Sequence, residues 1–214
     1  MTARETILRQ IHTALRDVPN AERAADLAVA RDYLTSDSAP HAQIVASFAE
    51  RVAEYKATVE HGAAADLPAA IAAALQAQGI TKLVVPDDVP DAWLPDSVTV
   101  LRDHGQLTHQ ELDASDGVLT ACALGIAQTG TIVLDHGAQQ GRRAITLVPD
   151  YHLCIVRADQ IVGLMPEAIT ALAPAARAGR PITMISGPSA TSDIELSRVE
   201  GVHGPRTLHV LVIS

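Results

Sequence analysis

Aromatic side chains are scarce in this sequence of 214 residues, which has one Phe, one Trp and three Tyr although 48% of its residues are hydrophobic. The core must therefore be built from Val, Leu, Ile and Ala. Proteins that bind single-stranded nucleic acid stack the bases on aromatic side chains, so the composition argues against that class.

Positive charge is also in short supply. The chain has 16 Lys and Arg against 25 Asp and Glu, which gives a formal net charge of −9 at pH 7. A protein with this balance exerts no long-range attraction on a phosphate backbone, which argues against a role in binding DNA or RNA. A local basic pocket for a small anion remains compatible with the overall charge.

Cysteines and long apolar runs are few. Cys122 and Cys154 lie in apolar segments, so we expect two buried, reduced thiols, and without a C-x-x-C motif the chain alone has no ligand set for an iron–sulfur cluster. No apolar run approaches the length of a membrane span. The N-terminal sequence MTARETILRQIHTAL is charged and amphipathic, unlike a signal peptide. We therefore expect a cytoplasmic protein that does not insert into membranes.

The residue pattern divides the chain into an N-terminal helical arm with a connector, residues 1–39, and an α/β domain, residues 40–214. In the arm, Thr2 and Glu5 have the spacing of a capping box, and apolar residues at positions 7, 8, 11 and 15 form one helical stripe. The connector is rich in Ala and has only weak periodicity.

Helices and strands alternate in the α/β domain. We predict helices at 41–62, 66–79, 108–113 and 166–177. We predict strands at 81–86, 98–101, 117–124, 131–134, 145–148, 153–156, 182–185 and 208–213. Continuous apolar strands between helices are typical of a mainly parallel sheet that is covered on both faces. Four strands with little helix between Gly117 and Val156 predict an antiparallel excursion there.

Three polar segments could carry chemistry. Gly125–Thr131 offers amides and hydroxyls to a carboxylate or phosphate, or is a tight turn that needs Gly130. Ser186–Glu195 follows a predicted strand, where open α/β sheets bind ligands, or is a loop that caps its own backbone. Gly201–Arg206 holds His203, which is either an acid or base, or a histidine hydrogen-bonded within a turn.

Four blocks resemble the successive signature segments of the LUD-domain family, also called lactate-utilisation protein C. They are Gly125–Leu134, TLVPDYH at 146–152, SGPSATSDIE at 186–195 and GVHGP at 201–205. The resemblance covers roughly residues 40–214. It implies a three-layer, Rossmann-like α/β domain of the glucosamine-phosphate isomerase, ribose-phosphate isomerase and CoA-transferase type. It also implies a role in oxidising L-lactate to pyruvate with iron–sulfur partner proteins that carry the clusters, and no cofactor in this chain.

The resemblance also implies a site. The substrate-binding residues would be Thr129, Gly130, Thr131, Arg143, Ser189, Thr191 and Glu195. The catalytic candidates would be His152, Asp193 and His203. Arg143 can hold a substrate carboxylate with its planar fork, or is a surface arginine in weak ion pairs, and Arg142 could exchange roles with it. The two histidines would handle protons and Asp193 would orient one of them.

One position departs from the family pattern. Gln128 stands where members often have Glu, and an amide cannot act as nucleophile or general base. A mechanism borrowed from glutamate-dependent CoA transferases is therefore in doubt.

Several functions remain open. The first is a subunit of a composite lactate dehydrogenase that binds a small anionic ligand, rather than a complete enzyme. The others are a stand-alone isomerase or acyl transferase, and a non-catalytic assembly subunit. No metal site is expected, because the nine histidines include no H-x-x-x-H or H-E-x-x-H pattern.

Overall fold

The chain divides into two units, Met1–Tyr33 and Leu34–Ser214. The computed structural model describes residues 2–18, 30, 32–191, 199–201 and 203–214. Within the first unit, helix α1 (Ala3–Ala14) begins at the predicted capping box. The amide of Thr2 donates to Oε2 of Glu5 at 2.8 Å, and the amide of Glu5 donates to Oγ1 of Thr2 at 3.3 Å.

The second unit has four helices, several 3-10 turns and two larger sheets in its described part. The helices are α2 (His41–Glu54), α3 (Leu67–Ala77), α4 (His109–Asp113) and α5 (Met165–Arg177). The first six strands are β1 (Thr58–Gly62), β2 (Lys82–Pro86), β3 (Thr99–Asp103), β4 (Gly117–Ala121), β5 (Leu124–Ile126) and β6 (Thr131–Leu134). The other six are β7 (Tyr151–Arg157), β8 (Ile161–Val162), β9 (Thr183–Ile185), β10 (Ala190–Thr191), β11 (Val199–Glu200) and β12 (Thr207–Ile213).

A six-stranded sheet with the order β1-β12-β7-β4-β2-β3 forms the centre of this unit, and all of its pairings are parallel. A smaller sheet has the order β8-β5-β6-β9, in which β6 runs antiparallel to both neighbours. Strands β10 and β11 form a separate antiparallel pair. The fold is thus a mixed α/β fold with a mostly parallel central sheet. The antiparallel excursion expected between Gly117 and Val156 is the β5–β6 pair.

Helix α3 covers one face of the large sheet. Leu67, Ile71 and Leu75 pack against alternate side chains of the central strands, such as Leu119 on β4 and Leu153 on β7. The helix begins where Pro68 occupies its first turn and ends before Gly79, whose φ of +66° suits glycine.

Helix α2 and the small sheet cover the opposite face. Phe48 and Val52 of α2 share a buried cluster with Cys154 and Val210 of the large sheet and Ile132 of β6. Helix α5 packs on the far side of the small sheet. The hydrophobic core is aliphatic except for Phe48 and Tyr151, as the composition predicts.

Three elements differ from the sequence prediction. The strand predicted at 117–124 is two strands, β4 in the large sheet and β5 in the small sheet. The helix expected to run to Gly62 ends at Glu54, because Lys56 takes a left-handed conformation (φ +67°) and Thr58–Gly62 pairs with β12 as an edge strand. The strand predicted at 145–148 is wrong. A 3-10 turn, Arg143–Thr146, stands there, and Ile145 is buried against α4, β2 and β4 from that turn. Its apolar residues serve the core without joining a sheet.

None of the helices in the described ranges combines the length and the apolar character that a membrane crossing needs.

Candidate functional site

A cavity of about 230 Å³ opens at the amino-terminal ends of β7 and β12, and we call it the amino-end cavity. It is lined by Arg143, Thr146, His152, Thr183, Met184, Ile185, Ser186, Gly187, Pro188, Ser189, His203, Gly204, Pro205 and Leu208. Four residues singled out from the sequence therefore line one cavity: Arg143, His152, Ser189 and His203.

The guanidinium of Arg143 is held by neutral acceptors. Its Nη1 donates to the carbonyl oxygen of Thr146 at 2.9 Å and to Oγ1 of the same residue at 3.0 Å, and its Nη2 donates to the carbonyl oxygen of His203 at 3.0 Å. Burial lowers the pKa of Arg143. Within the described ranges no carboxylate forms an ion pair with it, and Nε makes no hydrogen bond. This half-buried positive charge can accept an anion.

His152 forms part of the cavity wall from the second position of β7. Its side chain is buried, and Nε2 lies 2.8 Å from Oγ1 of Thr120 on the neighbouring strand. Register explains the contact, because Val118 stands opposite His152 and Thr120 faces the same side of the sheet. The hydroxyl of Thr120 holds the imidazole in one orientation, whichever ring nitrogen carries the proton.

Ser189 connects the two segments that form the cavity rim. Its amide donates to the carbonyl oxygen of Pro205 at 2.8 Å, and its carbonyl oxygen accepts from the amide of Gly201 at 3.1 Å. Its Oγ accepts from the amide of His203 at 2.9 Å. These bonds hold the exposed His203 at the rim. The hydroxyl of Ser189 therefore has a structural role and retains its own proton to donate.

Thr129, Gly130 and Thr131 lie behind the cavity wall rather than in it. Oγ1 of Thr131 lies 2.7 Å from Oγ1 of Thr129 and 2.8 Å from Oγ of Ser186, which lines the cavity. Gly130 has φ +57°, and a Cβ there would come within 2.7 Å of the backbone of Arg51. The turn thus needs glycine for both its conformation and its packing, while its hydroxyls support the wall through Ser186.

The side chains of three predicted site residues lie outside the described part of the structure. Asp193 and Glu195 lie outside the described residues, and Thr191 lies on β10, whose side chains are likewise outside the description. Their proposed roles in orienting a histidine and binding a substrate stay predictions.

The sequence predicted that Ser186–Glu195 lies at the carboxyl end of a strand in the parallel sheet, and this differs from the structure. The strand before this segment, β9, belongs to the small sheet and runs antiparallel to β6. The segment that follows β9 therefore reaches the amino-terminal ends of β7 and β12. Sequence alone could not assign β9 to a sheet, since a three-residue apolar strand fits either one.

Gln128 has a structural contact that the sequence did not indicate. Its side-chain Oε1 accepts from the backbone amide of Met165, at the start of α5, at 3.3 Å. Its backbone amide donates to the carbonyl oxygen of Gly163 at 2.9 Å. A free amide at a helix start is commonly satisfied in this way. Gln128 lines a different cavity, between α2 and the β8–α5 turn, and not the amino-end cavity.

The cysteines are buried and free, as expected. The neighbouring Cys154 thiol and burial together raise the pKa of the Cys122 thiol, so it stays protonated. In the described part of the chain, no three His, Cys, Asp or Glu side chains are grouped to hold a metal ion. Sequence reasoning missed Thr120 as a support of the site, because it lies within an apolar run where an isolated hydroxyl is the only signal. Thr146 and Ser186 begin two of the blocks that resemble the family, but neither was assigned a role.

A scan against protein-family models matches residues 20–213 to the LUD domain. The chain belongs to the LUD domain family. Relatives of this LUD domain include a protein named lactate utilization protein C from Deinococcus radiodurans, 53% identical over 172 residues, which are 80% of each chain. A second, from Geobacillus kaustophilus and with the same name, is 30% identical over 70% of each chain.

A solved structure has the same fold. The crystal structure of a DUF162 family protein from Deinococcus radiodurans matches this LUD domain with a TM-score of 0.73 and 46% sequence identity. The match covers 82% of this chain and 99% of that one. The predicted family is therefore confirmed, and so is a mixed α/β fold with a mostly parallel sheet.

Proposed function

We propose that this LUD domain serves the utilisation of L-lactate and binds a small carboxylate in the amino-end cavity. The observation that supports this most strongly is a half-buried Arg143 whose described partners are all neutral, in a chain 53% identical to a protein named lactate utilization protein C. L-Lactate has one carboxylate and an adjacent hydroxyl. The cavity offers a matching guanidinium, two imidazoles and serine hydroxyls.

Arg143 would bind the carboxylate. Thr146 occupies Nη1 and the carbonyl oxygen of His203 occupies one position of Nη2, which leaves Nε and a second N–H of Nη2. These remaining donors would bind the oxygens of the carboxylate.

His152 and His203 would handle the protons of the reaction. Oxidation of L-lactate to pyruvate releases two electrons and two protons, one proton from the hydroxyl and one from Cα, and an imidazole can accept each proton. His152 is held by Thr120, whereas the side chain of His203 stands exposed at the rim. Asp193 and Glu195 would complete the site from the segment after β10.

The electrons would leave through iron–sulfur partner proteins. With two buried cysteines, this chain has too few thiolates for a cluster of its own. The LUD domain would then be one subunit of a composite dehydrogenase. We also propose that its fold belongs to the glucosamine-phosphate isomerase, ribose-phosphate isomerase and CoA-transferase group. Its parallel sheet, with helices and a second sheet on its two faces, supports this proposal.

Calorimetric titration of the purified chain with L-lactate tests the site. Replacing Arg143 with Gln should weaken binding by roughly 10- to 100-fold, because a charge-assisted hydrogen bond contributes about 1.5–3 kcal/mol. Arg206→Gln is the matched control, since it removes an equal charge from an exposed residue that pairs with Asp150 outside the cavity lining. Equal affinity in wild type and Arg143→Gln would contradict the assignment of Arg143.

A further inference from the structure

A second cavity, of about 370 Å³, lies at the carboxyl-terminal ends of β4 and β7. It is formed by the β4–β5 turn, the loop after β6, Arg157 at the end of β7, helix α5 and Arg180. We call it the carboxyl-end cavity. Open parallel sheets commonly bind ligands outside the carboxyl ends of neighbouring strands. Strands β4 and β7 are such neighbours, with Ala121 opposite Ile155 in the last pair of their register.

Positive charge exceeds negative charge in the described lining of this cavity. Arg157 and Arg180 line it, together with a single carboxylate, Asp135. Nη2 of Arg180 pairs with Oδ2 of Asp135 at 2.9 Å, and the amide of Gly137 donates to Oδ1 of Asp135 at 3.0 Å. Both oxygens of Asp135 are therefore already engaged. Arg157 pairs with Asp159 at 3.2 Å, but both side chains are largely exposed, so water screens that pair.

Three side-chain groups, one acceptor and two donors, converge above Gly137. A Cβ at this position would lie 2.8 Å from Oδ1 of Asp135, 3.0 Å from Nη1 of Arg180 and 3.3 Å from Nε2 of Gln140. Gln140 is 4% exposed, and its Oε1 accepts from the amide of Asp135 at 2.7 Å. That bond directs the amide group and leaves Nε2 as a donor. Since any other residue at 137 would fill the space, glycine keeps these donors accessible.

We propose that the carboxyl-end cavity binds an oxyanion, the carboxylate or phosphate of a small metabolite, through Arg180 and Gln140, with Arg157 at its mouth. This site is separate from the amino-end cavity and does not depend on the proposed role in lactate utilisation. A buried amide and a guanidinium held by a carboxylate form a preorganised donor pair for such a group.

Titration calorimetry at low ionic strength, where screening is weakest, tests the proposal on the full chain. The probes are inorganic phosphate and malonate, which separate a phosphate preference from a carboxylate preference. We expect saturable binding of at least one probe, weakened tenfold or more by Arg180→Gln and by Gly137→Ala. The second variant keeps every charge, and its methyl group meets only the ends of side chains, so it tests the site even if Arg180→Gln misfolds.

The titrations are made in an Arg143→Gln background, so that an anion in the amino-end cavity does not mask binding in the carboxyl-end cavity. Arg206→Gln in the same background is the matched control, because it removes an equal charge from an exposed residue outside both cavity linings and should leave binding unchanged. Three results would overturn the proposal: no saturable binding of either probe in this background, binding that both cavity variants leave intact, or binding that Arg206→Gln weakens as much as Arg180→Gln. The last result would show a response to net charge and not to the carboxyl-end cavity.

Discussion

The two ends of the parallel sheet each have an arginine in a cavity lining, and the two arginines differ in the charge of their hydrogen-bond partners. At the amino ends of β7 and β12, Arg143 is held by carbonyl and hydroxyl oxygens. At the carboxyl ends of β4 and β7, Arg180 already pairs with Asp135, whose side chain is 13% exposed. A buried charge with neutral partners gains more from an anion than one that is already neutralised. We therefore expect the amino-end cavity to bind anions more strongly.

The largest effect on stability is expected for a substitution of Gly130, near the amino-end cavity. It should exceed the effect of the same substitution at Gly179, near the carboxyl-end cavity. Gly130 and Gly179 both have positive φ, but a Cβ at Gly130 meets the backbone of Arg51 at 2.7 Å, whereas a Cβ at Gly179 meets nothing within 4 Å. Gly179→Ala should cost about 1 kcal/mol of unfolding free energy from backbone strain alone. Gly130→Ala should cost about 2–4 kcal/mol, since a clash adds to that strain.

Urea denaturation of the two variants checks this difference. Equal losses would mean that α2 moves away from the turn at little cost. The packing of Gly130, which places Thr131 behind the wall of the amino-end cavity, would then be less rigid than the structure indicates.

A smaller effect should come from the support of His152. Thr120→Val keeps the shape of the side chain but removes the hydroxyl 2.8 Å from Nε2 of His152. It should lower the unfolding free energy by about 1–3 kcal/mol, because a buried polar group loses its partner. Thr99→Val, at an exposed position on β3, is the matched control and should change stability by less than about 0.5 kcal/mol. Equal stability of Thr120→Val and wild type in thermal unfolding would contradict a structural role of this bond.

Another buried histidine, His209, lies on the face of the large sheet opposite to His152. Its protonation should make the stability of the protein depend on pH. Nδ1 of His209 lies 2.9 Å from the hydroxyl of Tyr151, and Nε2 lies 3.2 Å from Oε1 of Glu60 but makes no hydrogen bond. Burial lowers the pKa of His209 below its ordinary value, although Glu60 opposes this. The folded state therefore favours the neutral ring, so its contribution to stability is present above about pH 6.5 and is lost as the pH falls.

Unfolding free energies at pH 7.5 and 5.5 measure this contribution. A single titrating group changes stability by at most about 1.4 kcal/mol per pH unit. His209→Asn can retain a partner for Tyr151 and should reduce the loss of stability at pH 5.5. An unchanged pH profile in this variant would assign the loss to other groups.

The sequence correctly predicts the helices and strands whose start, end or apolar pattern is marked by their own residues or by adjacent ones. The capping box of α1, the Pro68 start and Gly79 end of α3, and the apolar strand β12 all occur where the pattern places them. The left-handed turn at Lys56 was not predictable, because lysine has no preference for that conformation. Without this break, the apolar spacing of Val52 and Val59 continues as a helix.

The sequence singled out four residues that line the amino-end cavity, but it did not indicate where that cavity lies. Motif resemblance brought together Arg143, His152, Ser189 and His203, which lie far apart in the sequence. It could not separate lining residues from the supporting Thr131, since both kinds carry hydroxyls. The carboxyl-end cavity has no motif, because its donors depend on contacts between α5, β7 and a loop.

The most direct test of the central claim is L-lactate-dependent electron transfer in a mixture of this LUD domain and its proposed iron–sulfur partner proteins. We predict activity in the complete mixture, loss of activity when this chain is omitted, and a matching loss with Arg143→Gln but not with Arg206→Gln. Full activity without the chain, or with Arg143→Gln, would contradict the proposed role of the amino-end cavity in lactate oxidation.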